Sequence, residues 1–369
     1  MKYYIIAGER SGDLHGSNLI KGILKNDPSA QIRAWGGDMM EESGADLAKH
    51  YRDLAFMGVV KVILNLPVIL GLIRFCKKDI LAFQPDVVIL IDYAGFNMRI
   101  AEFAKGKGIR TFYYISPKVW AWNQSRALKI KKFVDRMFVI FPFEKEFFKK
   151  FDYEVDYVGN PLFDAISDFR PDPDFRKSAR LGNKPIVALL PGSRKQEVSK
   201  ILPLMLSASY EFPEYQFVIG SVSNLPKELY ARWQSIFPVK IVEDSAYDLL
   251  SVAEAALVTS GTATLETAIL NTPQVVCYKT DPLFYRIGKK VIKVAYLSLV
   301  NLIAGRTVVT ELVQGELNNE NIRSELGKLL KNPEARTAQL DGYEQVRTLL
   351  GTKGASEKAG ELMVNYLKQ

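Results

Sequence analysis

Short apolar runs recur along the chain at intervals that a helix can fill. Tyr3–Ala7, Gln31–Gly36, Val87–Asp92, Thr111–Ser116, Arg136–Ile140 and Val155–Gly159 read as strands separated by amphipathic stretches. That βαβα rhythm predicts a parallel sheet with helices on both faces. It breaks at residues 167–185, "SDFRPDPDFRKSARLGNKP", which are polar, charged and proline-containing and read as an interdomain linker. A second series follows at Ile186–Leu190, Gln216–Ile219, Val239–Val242, Ala255–Val258 and Gln274–Tyr278, and the tail from Asn319 reads as helices. The pattern predicts an α/β protein of two doubly wound, Rossmann-like domains, residues 1–166 and 186–345. A C-terminal helix within 346–369 would pack back on the first domain or take another path that the pattern leaves open. Ligands of such sheets bind beyond the carboxyl ends of the strands, so a central cleft faced by both sheets is expected.

The length of 369 residues and 48% hydrophobic content suit two such domains. Cys76 and Cys277 lie far apart, which excludes a disulfide framework and points to a reducing compartment. The chain enters its first strand without a charged, cleavable leader, so a cytoplasmic location is expected. The net charge of +8 is concentrated: residues 105–150 hold twelve Lys/Arg against three Asp/Glu. Such a segment suits nucleic acid, a phosphorylated substrate or an anionic lipid, and equally a solvated basic face.

Residues 56–76, "FMGVVKVILNLPVILGLIRFC", are the most apolar stretch. Lys61, Asn65 and Pro67 interrupt it, short of the roughly 20 apolar residues a spanning helix needs. It is either a core helix or an apolar patch that meets a bilayer or acyl chains through Val59, Val60, Ile63, Leu64, Ile69 and Leu72. The flanking Lys61, Arg74, Lys77 and Lys78 favour the second reading.

Three loops carry candidate chemistry. "AGERSGDLHG", residues 7–16, spaces Gly8, Gly12 and Gly16 four apart and sets Glu9, Arg10, Asp13 and His15 among them, ionisable groups where backbone can approach a ligand, with the hydroxyl of Ser11 beside them. In "IVALLPGSRKQEV", Gly192 and Ser193 open a helix whose free N–H groups suit a phosphate, with Arg194 adding a fixed charge. An arginine there opposes the helix dipole, and a bound anion would offset it. In "AALVTSGTATLETAI", Ser260, Gly261 and Thr262 could hold a phosphate or ribose, and Glu266 could accept from ribose hydroxyls. "YYISPKVWAWNQSR" sets Trp120 and Trp122 near Arg126, and "SLVNLIAGRTVVTEL" places Asn301 and Arg306 in an apolar loop. The packed-loop alternative stands for both. Neither anion loop is a Walker A or a G-x-G-x-x-G, and His15 and His50 cannot make a His-rich metal site.

Together GERSGDLHG, IDYAGFN, YYISPKVWAW, FPFEKEFF, VGNPL, LLPGSR, SGTATLE and SLVNLIAGR resemble the lipid-A-disaccharide synthase family, in the family's order over residues 5–310. The resemblance implies a GT-B fold, with an acceptor- and membrane-facing first domain and a UDP-sugar-binding second domain. It implies inverting transfer of 2,3-diacylglucosamine from UDP to the 6-hydroxyl of 2,3-diacylglucosamine 1-phosphate, giving a β(1→6) disaccharide and UDP. It also implies peripheral contact with the inner face of the cytoplasmic membrane of a Gram-negative bacterium, no nucleic-acid partner, no cofactor and no metal, and it allows a homodimer whose subunits exchange the C-terminal helix. Its functional glutamate, arginine and asparagine fall on Glu9, Arg194 and Asn301. Many members read I-D-A-P-D-F-N where this chain has Ile91-Asp92-Tyr93-Ala94-Gly95-Phe96-Asn97, so their second aspartate is Gly95 here. The proton acceptor is then Asp92 or Glu9, the other positioning the sugar, with the glycines giving it room. A UDP-N-acetylglucosamine 2-epimerase and a non-catalytic nucleotide-sensing membrane protein are the competing readings.

Overall fold

The apolar runs pair as parallel strands in two separate sheets. The computed structural model describes residues 1–54, 66–351 and 353–369. They form two units, Met1–Asp164 with Thr352–Gln369, and Ala165–Gly351. The first contains β1 (Lys2–Ala7), β2 (Gln31–Gly36), β3 (Asp46–His50), β4 (Val87–Ile91), β5 (Arg110–Tyr114), β6 (Arg136–Val139) and β7 (Asp156–Tyr157). Their order is β3-β2-β1-β4-β5-β6-β7. The second contains β8 (Ile186–Leu190), β9 (Gln216–Ser221), β10 (Val239–Glu243), β11 (Ala253–Thr259), β12 (Gln274–Tyr278) and β13 (Thr310–Val313), in the order β10-β9-β8-β11-β12-β13.

β4 and β8 are wholly apolar because helices cover both faces of a central parallel strand. In β8 the alternation is direct: Val187 and Leu189 enter one core, and Ile186, Ala188 and Leu190 the other. β3 and β13 are edge strands whose polar sequences, "DLAKH" and "TELV", carry no apolar run to announce them.

Two expectations are corrected. Residues 167–185 are not a free linker: they belong to the second unit, where Phe175 is buried with Ile186, Val218 and Leu249. Arg176 ties the segment down by donating to the carbonyls of Gly182 and Lys184. Nor is "SLVNLIAGRTVVTEL" one apolar loop, because Leu299–Ala304 forms a helix whose N-cap Ser298 accepts from the Asn301 N–H.

The last helix, Ala355–Lys368, packs in the first unit on the helix Arg10–Asn26. The two cross at glycines: a Cβ on Gly360 would lie 2.5 Å from the carbonyl carbon of Gly22. Asp164 receives the helix start, accepting from the Gly354 N–H at 2.6 Å, and Lys25 pairs with Glu357.

Candidate functional site

Ala7 at the end of β1 pairs with Ile91 at the end of β4. The order of the sheet reverses between these two strands, so their carboxyl ends frame the crevice where doubly wound sheets hold ligands. Glu9 and Asp92 lie just beyond those ends. Glu9 is the half-buried N-cap residue of Arg10–Asn26. Asp92 and Tyr93 both take left-handed backbone, φ 43° and 45°, which non-glycine residues adopt at a cost of order 1–3 kcal/mol each. The turn is held by its neighbours: the Asn97 amide donates to the carbonyls of Ile91 (3.1 Å) and Asp92 (2.8 Å), and the Tyr113 hydroxyl donates to the Asp92 carbonyl. Asn97, fully buried, explains the last letter of the IDYAGFN motif, a role that only the strained turn reveals.

Desolvation raises the Asp92 carboxyl above the ordinary aspartate range although its edge stays open to solvent. Lys118 and the Tyr93 N–H pull it partly back. The Tyr93 ring covers Gly8, where a Cβ would come within 2.5 Å of it, and its hydroxyl feels the Glu9 charge.

The glycines of the first loop do not open space for a sugar. Gly12 is tight against Ala7, and a Cβ on Gly16 would meet the Met40 sulfur at 2.5 Å, so both serve close internal packing. Asp13 is likewise no ligand-facing group. It is buried and accepts from the N–H groups of Gly37 (2.7 Å), Met40 (3.1 Å) and Met39 (3.3 Å), bracing the turn after β2. Ser11 is exposed in the first helical turn. His15 is half-buried, its Nδ1 has no hydrogen-bond partner among the described residues, and burial pushes it down to about 4, so it is neutral at neutral pH.

One buried carboxyl was not among the expected site residues. Glu144, beyond the end of β6, accepts from the N–H groups of Phe141 (2.9 Å) and Ile140 (3.1 Å). Burial raises it to about 7 against the pull of those donors and of Ser116 and Trp120. Among the described residues the Trp120 Nε1–H has no hydrogen-bond partner within bonding geometry. FPFEKEFF contained the signal, a carboxylate three residues into a helix reaching back to its start.

The acyl-contact segment is described only in part. Val59, Val60, Ile63 and Leu64 lie outside the described residues. In the helix Leu66–Phe83, Ile69 and Leu72, expected as acyl contacts, are half-buried because they share the inward stripe of Ile73, Cys76 and Ile80. Val68, Leu70 and Phe75 are the exposed apolar groups, beside Arg74 and Lys78. No helix among the described residues is long and apolar enough to cross a membrane.

In the second unit the corresponding crevice lies beyond β8 and β11. Gly192 takes φ +108°, and Arg194 caps the helix Lys195–Glu211 with an exposed side chain. The charge expected from a bound anion is supplied from within, since Arg194 donates to Glu197 Oε1 at 2.7 Å. In the neighbouring loop the Ser260 hydroxyl donates to the Leu297 carbonyl, Gly261 precedes the helix Thr262–Ile269, and Thr262 is exposed. Glu266 accepts from the Tyr247 hydroxyl at 2.9 Å, and burial raises its carboxyl.

Two further assignments change. Asn301 is fully buried, and its amide makes four hydrogen bonds, to the Val309 carbonyl, Glu311, and the N–H groups of Val308 and Val309. These bonds brace its loop. Arg306 lines a hollow of about 260 Å³ with Gln274 and Thr310, near the amino ends of β12 and β13, and donates to Gln345. It lies at the opposite end of the sheet from Arg194. A hollow of about 550 Å³ beyond the carboxyl ends of β12 and β13 is instead lined by Lys200, Lys279, Tyr285 and Arg286. Among the described residues no group of three or more His, Cys, Asp or Glu is placed to hold a metal ion.

Two equally wound sheets, one crevice carrying carboxylates and the other a glycine–arginine loop, define an α/β protein of the GT-B type. Solved structures of this fold include UDP-GlcNAc 2-epimerase from Neisseria meningitidis bound to UDP-GlcNAc, with a TM-score of 0.68 at 14% identity over 99% of this chain and 100% of that one. CalG4, the calicheamicin glycosyltransferase, gives 0.60 at 13% over 100% and 98%. At such identities the likeness is one of fold.

Sequence relatives decide the family. The family described as Lipid-A-disaccharide synthetase matches residues 3–364. Lipid-A-disaccharide synthases from Syntrophus aciditrophicus and Trichlorobacter lovleyi are 40% and 38% identical, each over 99% of this chain and 97% of the relative, and the Coxiella burnetii protein is 34% identical over 98% of both. The chain belongs to the lipid-A-disaccharide synthase family and is a glycosyltransferase.

Proposed function

We propose that the protein condenses UDP-2,3-diacylglucosamine with 2,3-diacylglucosamine 1-phosphate to give the β(1→6) lipid A disaccharide 1-phosphate and UDP, with inversion. The observation that carries this reading is the pair Glu9 and Asp92 beyond adjacent strand ends, one of them in a strained turn with a raised carboxyl. Strain held by a buried amide and a tyrosine hydroxyl is the kind of cost that sites retain for a purpose.

In the step, the acceptor 6-oxygen forms a bond to the donor anomeric carbon as the bond from that carbon to UDP breaks. The hydroxyl proton passes to Asp92 or Glu9, and the other carboxylate orients the sugar. The departing electron pair stays on UDP, whose charge is met by the N–H groups opening Lys195–Glu211 and by Arg194 released from Glu197. Ser260, Gly261 and Glu266 lie in the adjoining loop and helix and would receive the ribose side of the nucleotide.

Lipid substrates of this kind would bring the enzyme to the inner face of the cytoplasmic membrane. Val68, Leu70 and Phe75, with Arg74 and Lys78 beside them, supply an apolar, cationic surface for that contact. The test is UDP release from UDP-2,3-diacylglucosamine in detergent, with and without the acylated acceptor. Release that needs the acceptor is expected; turnover of plain UDP-N-acetylglucosamine alone would overturn the reading in favour of the epimerase.

A further inference from the structure

The second unit carries an exposed apolar face to which the proposed transfer assigns no role. The helix Pro282–Val291 follows β12, with Asp281 as its N-cap residue and Pro282 in its first turn. Leu283, Phe284 and Val291 share one arc of it, and Ile292 continues that side past the helix end. Arg286, Lys289 and Lys290 occupy the flanking arc, with Lys293 just beyond. A helix of this pattern normally turns its apolar arc to the core. Here Leu283 and Phe284 are each 67% exposed, and Val291 and Ile292 are exposed beside them. None of the four cations makes an ion pair among the described residues.

We infer that this helix is a second lipid-surface contact of the protein, lying in the headgroup region of an anionic bilayer. Large apolar side chains projecting from a short helix edged by unpaired cations are what such an interface takes up, the apolar groups entering the acyl boundary and the lysines meeting lipid phosphates. A second copy of the chain fits the face poorly. An isologous contact with the helices antiparallel would set the cationic flank of Arg286, Lys289 and Lys290 beside the same flank of the other copy. The inference rests on the proposed function only in that lipid substrates put a bilayer within reach.

The experiment is co-sedimentation of the full chain with vesicles of phosphatidylethanolamine and phosphatidylglycerol, against vesicles of phosphatidylcholine alone. The variants are Leu283→Ser with Phe284→Ser, and Lys289→Glu with Lys290→Glu. Each pair should weaken partitioning to the anionic vesicles by about tenfold or more. Melting temperature, molecular mass in solution and UDP release from detergent-dispersed substrates should not change. Undiminished partitioning of both pairs would overturn the inference, as would a fall in molecular mass showing that another copy covers the face. Failure of the unsubstituted protein to release UDP in detergent would instead overturn the transferase reading and leave the vesicle result standing.

Discussion

β1 and β4 occupy in the first sheet the place that β8 and β11 occupy in the second, and each pair frames the point where strand order reverses. The chain leaves β4 through two non-glycine residues in left-handed conformation, fixed by Asn97 and Tyr113. It leaves β8 through Gly192, which adopts φ +108° without a Cβ clash of its own. One crevice stores strain under a carboxylate whose proton affinity is raised. The other uses glycine to bring backbone N–H groups and an arginine to a helix start. The same winding thus carries two different sets of residues, decided by the few positions after each strand, and the proposed reaction gives proton transfer to one set and anion holding to the other.

The largest effect that could break this division is on turnover. Asp92→Asn or Glu9→Gln, whichever replaces the proton acceptor, should lower kcat by about 10²–10⁴-fold in a steady-state assay. If neither lowered it, the first crevice would not hold the base.

Next in size is a pH effect confined to the carboxylate-bearing unit. Glu144 keeps its proton in the folded state up to about 7, whereas the unfolded chain releases it near 4.5. The unfolded state therefore binds fewer protons between those values, and stability falls as pH rises through that window, by roughly 3 kcal/mol in all. Denaturant melts of Glu144→Gln from pH 4.5 to 7.5 should lack this decline. A variant that kept the full slope would show that another group causes it.

Arg194→Ala should weaken UDP binding by roughly 10- to 100-fold, the range of a charge-assisted hydrogen bond, while leaving the fold intact. Glu197→Gln should do the reverse in smaller measure, because it releases Arg194 from its internal partner.

The smallest effect concerns Gly95, exposed in the first turn of the helix Ala94–Gly106 with open space around a Cβ. Gly95→Asp should stabilise by about 0.5–1 kcal/mol, through reduced chain entropy and an acid at a helix start, read as a rise in melting temperature. A gain in turnover as well would mean that a carboxylate at this position joins the proton transfer.

The central strands were legible because burial on both faces forces continuous apolar runs such as "VVILI" and "IVALL". The edge strands β3 and β13 were not, since one open side permits polar residues. The motifs located both crevices, yet several letters within them serve packing. Gly12, Gly16, Asp13 and Asn301 have the composition of ligand contacts and the surroundings of braces. A motif cannot distinguish a carboxylate that meets a substrate from one that meets three backbone N–H groups. Glu144 was missed for the converse reason: its peculiarity is burial, and burial is a property of the fold.

The division of labour is tested most directly by calorimetric titration of UDP into Glu9→Gln, Asp92→Asn and Arg194→Ala alongside the unsubstituted protein. The account predicts unchanged affinity for the first two and weakened affinity for the third. Unchanged affinity in Arg194→Ala, with a loss in the carboxylate variants, would contradict it.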